Sequence, residues 1–278
     1  MNAHHAEIVV VEPGVADREY WREMWRKREL LWFLVWRDTL VRYKQTAVGV
    51  AWVLIRPIFT LLIFTLVFGK IAQLPSVHAP YPLLVLSGLL PWLFFASAVS
   101  DISNGVIANA ALVGKVYFPR MIIPLAGLCV GLVDYFVSCS LLVVAALAFG
   151  SGLGWKLLLL PALTLWVAAL ALGVGLIGAA LNVRYRDFRH LIPFVLQLGV
   201  YISPVGYSAS LVPERWRLVY SLNPLVGIID GFRWATLGLE SENLFLPGLV
   251  ASMALTALLL VVGVVLFRRV ERRFVDFL

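Results

Sequence analysis

Six apolar runs, each close to the roughly 20 residues that a helix needs to cross hydrocarbon, leave this chain few ways to fold. They are 48–68, 83–100, 121–149, 157–181, 191–207 and 246–267, and only Arg56 in the first and Asp134 in the third break them with a charge. No soluble domain fits in what remains of the 278 residues. Hydrophobic residues make up 61% of the chain and charged residues 14%, against about 25% charged in ordinary soluble domains. So much apolar surface must enter a bilayer, which predicts an all-α integral membrane protein. Three segments follow: a tail with an amphipathic helix at 1–47, a six-helix transmembrane domain at 48–267, and a tail at 268–278.

The formal net charge of +7 would suggest nucleic acid in a soluble chain, but its placement points elsewhere. If the six spans alternate and the N-terminus is cytoplasmic, the segments on that side hold eight, two, three and four Lys or Arg, seventeen in all. The other side has five: Lys70, Lys156, Arg215, Arg217 and Arg233. The positive-inside rule then places both termini in the cytoplasm and excludes a nucleic-acid partner. Residues 1–14 carry no basic residue ahead of their short apolar stretch, so no signal peptide is expected there.

Residues 17–45 read as a helix lying on the cytoplasmic leaflet, against membrane lipids. Trp21, Trp25, Trp32 and Val35 recur at helical spacing, with Arg37, Asp38, Arg42, Tyr43 and Lys44 toward its end. Aromatic rings at headgroup level beside basic residues are the mark of an interfacial helix. On the opposite side, 208–245 is too apolar for a plain loop. Asn223 as N-cap and Pro224 at the first helical position open an apolar face of Ile228, Ile229, Phe232 and Leu237, so short amphipathic helices dipping into the outer interface are expected.

Catalytic signatures are absent. No phosphate-binding loop, His-Glu-x-x-His or Gly-x-Ser-x-Gly occurs, so the chain cannot hydrolyse ATP alone and the common routes to a membrane hydrolase are closed. The four histidines (His4, His5, His78, His190) have no ligand spacing, and no metal site is expected. Cys129 and Cys139 sit ten residues apart, about 15 Å along one helix, too far to bridge. Asp134, the only acid within a span, is expected to be satisfied by Tyr135, Ser138 or Ser140.

Two segments on the cytoplasmic side look built for protein contact. One opens with Asp101, Ser103 and Asn104 as helix caps, runs through a helix at 106–112, and ends Lys115-Val116-Tyr117-Phe118-Pro119-Arg120. An exposed Tyr-Phe pair between Lys and Arg is typical of interface anchors. The other is Arg184-Tyr185-Arg186-Asp187.

These pieces, taken in order, resemble one family. Arg37-Asp38-x-x-x-Arg42-Tyr43-Lys44-Gln45-Thr46-x-x-Gly49-x-x-Trp52, then Pro57, Phe64 and Phe68-Gly69, resembles the opening of permease subunits of ABC-2 type polysaccharide exporters. Tyr81-Pro82, Leu90-Pro91-Trp92, 115–120, 182–187, 211–216, Leu222-Asn223-Pro224 and Gly231-Phe232-Arg233 follow in the same order. The likeness covers nearly the whole chain and is strongest to exporters of O-antigen and related lipid-linked glycans.

The resemblance implies a non-catalytic permease in the bacterial inner membrane, acting as a homodimer with two copies of a separate ATPase subunit. That subunit would use ATP and Mg; this chain would hold no cofactor. It implies ATPase coupling through Asn104, Lys115, Tyr117, Phe118, Pro119 and Arg120, with Arg184, Tyr185, Arg186 and Asp187 as a second contact. A periplasmic gate between spans five and six would involve Asn223, Pro224, Asp230 and Arg233. The implied cargo, a glycan on undecaprenyl diphosphate, needs flat surfaces for sugars and a cation for the diphosphate. Trp52, Phe59, Phe64, Tyr201 and Tyr207 would offer the surfaces, and Arg56, a charge inside a span, the cation. Other readings are an ABC exporter of a small lipid or drug, or a membrane enzyme acting on lipid-linked sugars.

Overall fold

A computed structural model describes residues 17–44, 48–74, 79–150, 154–237 and 245–271. Among them all regular structure is helical. Most of the C-terminal tail and the first sixteen residues of the N-terminal one lie outside the described residues, as do Gln45 and Thr46.

The N-terminal segment forms two helices, α1 (Asp17–Arg26) and α2 (Arg28–Lys44), with a break at Lys27. The break changes which face meets the bundle. Trp25, Trp32 and Trp36 are exposed, whereas Leu34 and Val35 are buried. Val35 therefore does not share the tryptophan face that its spacing suggested.

The apolar runs become α3 (Ala51–Phe64), α4 (Tyr81–Ala108), α6 (Ile122–Ala148), α7 (Leu160–Arg184), α8 (Phe188–Ile202) and α11 (Leu246–Glu271). Short α5 (Ala110–Lys115), α9 (Glu214–Tyr220) and α10 (Pro224–Leu237) lie between them. Helix α3 continues as a π-helical stretch at Thr65–Ile71, and a 3₁₀ turn at Trp155–Leu159 leads into α7. Five of these stretches are long and apolar enough to cross a membrane. The run at 191–207 is different: α8 has 15 residues, about 22 Å of rise, because Ser203-Pro204 turns the chain back.

The core is α4, which packs along α6 and α7 and against α10, while α7 packs along α11. Small residues set the α7–α11 distance. A Cβ on Gly173 would lie 2.7 Å from the backbone nitrogen of Leu260, and Gly263 faces Gly173 in turn. Close backbone approach of this kind is how membrane helices gain contact where lipid supplies no hydrophobic drive. Cys129 and Cys139 are not bonded to each other.

Helix α10 starts at Pro224, where the Asn223 side chain accepts the Leu225 N–H at 3.1 Å. It does not lie in the interface, however. Ile228, Ile229 and Phe232 are fully buried against the core, because an apolar face this wide finds a slot between α4, α7 and α11. Among the described residues of 208–245, α9, with no buried residue, fits the expected surface helix.

Candidate functional site: an open groove between α3, α4, α6 and α8

Helices α3 and α8 touch the core along narrow stripes, and between them and the α4–α6 pair lies an open groove of about 1010 Å³. Trp52, Arg56, Thr60, Ile63 and Phe64 line it from α3 at intervals of three or four residues, one helical face. Pro193, Gln197 and Tyr201 line it from α8, and Trp92, Ser97 and Ser100 from α4. Trp92 approaches α8 because residue 199 is glycine; a Cβ there would come within 2.5 Å of the indole.

Of the residues expected on the substrate path, Trp52, Arg56, Phe64 and Tyr201 line this groove. Trp52 and Tyr201 are more than half exposed, while Phe64 is buried. Phe59 points away from the groove and is exposed. Tyr207 is also outside it: its hydroxyl joins that of Tyr220 at 2.8 Å and donates to the Ile202 carbonyl at 3.1 Å.

At the α2 end the groove is bounded by a charged cluster whose members are far apart in sequence. Arg42 on α2 donates through Nη2 to Asp101 on α4 at 2.7 Å and through Nη1 to Asp134 on α6 at 2.5 Å. The Tyr43 hydroxyl donates to the other Asp134 oxygen. Asp134 is therefore held by α2. Tyr135 and Ser140 do not bond its carboxylate, and the Ser138 hydroxyl donates to its backbone carbonyl instead. Asp101 lies within α4 and caps no helix. Burial alone would lower the Arg42 pKa, but the two carboxylates outweigh it and hold it raised. The expectation of Asp101 as a helix cap misses this pairing, because Asp101 lies just beyond the second apolar run and Arg42 is one of several cations ahead of the first.

At the opposite end, Phe64 and Phe68 pair with ring centroids 5.2 Å apart. They pack on the turn after α8, where Gly206 leaves room for the Phe64 ring. Tyr81 rests on Gly69 and donates to the Gly206 carbonyl at 2.6 Å. Arg233, expected at a gate, is 2% exposed. Its guanidinium donates to the carbonyls of Pro204 at 2.6 Å, Tyr207 at 2.9 Å and Val205 at 3.1 Å. It thus satisfies carbonyls of the turn that follows α8 and fastens α10 to that turn. Asp230, a turn earlier on α10, is partly buried, and burial pushes its carboxyl up to about 6 although Arg233 opposes the shift.

The segment expected to meet an ATPase divides into exposed and buried parts. Lys115 and Tyr117 are exposed, but Phe118 and Pro119 are buried. Phe118 and Val113 pack on Leu34 and Val35 of α2, so the Tyr-Phe pair is not exposed as a unit. Lys27 donates to the Tyr117 carbonyl at 2.7 Å. The Arg120 N–H donates to Glu271 at 2.8 Å, and the Tyr20 hydroxyl reaches the same carboxylate at 3.0 Å. Burial and that carboxylate push the Tyr20 phenol up. Asn104 sits inside α4, donating to the Ser100 carbonyl at 2.9 Å. Arg184, Tyr185, Arg186 and Asp187 are all exposed at the end of α7, with Arg184 lying over the Tyr185 ring. Trp21 is exposed, Arg37 bonds Asp38 and Asn109, and Lys44 is exposed.

Comparison with known proteins agrees with this architecture. The chain is 28% identical over 76% of its length, and 82% of the relative's, to the O-antigen export system permease protein RfbA of Myxococcus xanthus. It is 27% identical to the RfbA permease of Klebsiella pneumoniae over 90% of this chain and 95% of that one. The polysialic acid transport protein KpsM of Escherichia coli is 26% identical over 84% of this chain and 91% of its own. Residues 29–237, from α2 to the end of α10, match the family described as ABC-2 type transporter, and with three quarters of its length in that match, this chain belongs to the ABC-2 type transporter family.

Proposed function

We propose that this chain is the transmembrane subunit of an ATP-driven exporter of a lipid-linked, O-antigen-like polysaccharide. It works in the bacterial inner membrane as a homodimer, with both termini cytoplasmic and two copies of a separate ATPase bound at the α2 end. The observation that carries the reading is the open groove, which runs from the Arg42 cluster past Trp52, Arg56 and Trp92 to Phe64. Aromatic faces receive sugar rings, and the exposed Arg56 guanidinium, with no hydrogen-bond or ion-pair partner among the described residues, meets the diphosphate of the lipid carrier. The names of the relatives, O-antigen export and polysialic acid transport, support the same cargo class.

ATP binding to the partner would move the exposed Lys115–Tyr117 edge, and Phe118 would pass that movement to α2 and so to the groove. The test is purification of the affinity-tagged chain from its host. An ABC ATPase is expected to come with it, and Arg56→Ala is expected to keep that partner while cutting surface glycan. A chain that purifies without an ATPase, or an Arg56→Ala variant with full export, would refute the proposal.

A further inference from the structure

Four ionised side chains line the groove among the described residues: Arg42, Asp101, Asp134 and Arg56. They carry two positive and two negative charges. Arg42 is consumed by its two carboxylate partners, and the cluster they form is left with one negative charge at the α2 end of the groove. Arg56 stands one helical turn beyond Trp52 and, among the described residues, contributes the one positive charge of the groove that no carboxylate pairs. The remaining polar lining, such as Ser97, Ser100, Ser138 and Gln197, is neutral. A second copy of the chain would double each number and leave the balance unchanged.

A path that carries anions is lined by an excess of Arg or Lys, because a low-dielectric wall magnifies the cost of each unmatched charge. A glycan with a carboxylate on every sugar would bring several negative charges into this groove at once. They would meet a net charge of zero, with the negative cluster at one end. A neutral glycan meets no such barrier: its hydroxyls bond to Ser97, Ser100 and Gln197, and its ring faces pack on Trp52 and Tyr201. Resting on the export reading above, we infer that the cargo is an uncharged or charge-balanced glycan, whose one anionic group is the lipid diphosphate met by Arg56. Polysialic acid, named for one relative, is of the excluded kind.

The experiment removes this chain from its host and extracts the glycan that builds up inside the cell. After mild acid release from the lipid, the glycan is run on an anion exchanger at neutral pH. It should pass without retention. Retention as a polyanion, with uronic or sialic acid in every repeat, overturns this inference and leaves the export reading standing. Unchanged surface glycan with no internal build-up overturns both. A residue-level arm uses Gln197→Lys and Gln197→Glu, opposite charges at one exposed position of the groove in the otherwise intact complex. For a neutral cargo the two export within about threefold of one another; a Lys variant exporting more than about tenfold above the Glu variant, the response of a polyanion, overturns the assignment.

Discussion

Arg42→Ala isolates the charged interaction that ties the interfacial helix to α4 and α6. The substitution removes one guanidinium and leaves Asp101 and Asp134 without their cation, 2.7 and 2.5 Å from where its nitrogens stood. Removing one partner of a fully buried pair costs about 3 to 5 kcal/mol. Here the side chains keep 31%, 29% and 20% of their exposure, and water screens part of the loss, which reduces the expected cost to about 2 kcal/mol. For a chain of this size that is a fall of about 4 to 8 °C in Tm. The ten tryptophans make intrinsic fluorescence during heating in detergent micelles a direct assay. Most of the cost is the orphaned carboxylates, so adding Asp101→Asn and Asp134→Asn to Arg42→Ala should recover at least half of it. Arg42→Lys should fall between, because a single ammonium cannot hold both acids in the fork geometry. A Tm for Arg42→Ala within about 1 °C of the parent, or a triple variant no more stable than the single one, would refute the assignment.

Three further outcomes are expected. Phe118→Ala empties a buried site against Leu34 and Val35 and should cost about 3 kcal/mol, whereas exposed Tyr117→Ala should leave Tm unchanged; equal shifts for the two would contradict the burial of Phe118 alone. Gly173→Leu drives side-chain atoms into the α11 backbone and should separate α7 from α11, read as loss of a disulfide engineered across that pair. Asp230 titrates at about 6 in the folded chain against an ordinary 3.8, so its contribution to stability is fully present below about pH 4 and is lost as pH rises through about 6. Asp230→Asn should therefore flatten the loss of stability between pH 4 and 7 and raise stability by about 1 to 2 kcal/mol at pH 7, and a variant with the parent's pH profile would place the titration elsewhere.

The sequence by itself determined the membrane class, the position of nearly every long helix and the α10 start at Asn223-Pro224. These are local properties: run length is measured against bilayer thickness, and a cap acts on N–H groups two or three residues away. The tryptophans of α1 and α2 were legible as a surface feature for the same reason. Only the tertiary structure decided the rest. Arg42 meets acids 59 and 92 residues away, and no spacing rule links an interfacial helix to two separate spans. Phe118 is covered because α2 folds back over α5 and the start of α6, although its immediate sequence reads as exposed. Arg233 looked like a gate charge on the outer side until the turn after α8 presented three carbonyls to it. Phe59 left the groove while Trp52, Arg56 and Phe64 lined it, because the side of α3 that packs toward α4 and α6 sets which rows face inward. Partners of polar and aromatic side chains are chosen by which helix faces meet, and that choice is a property of packing.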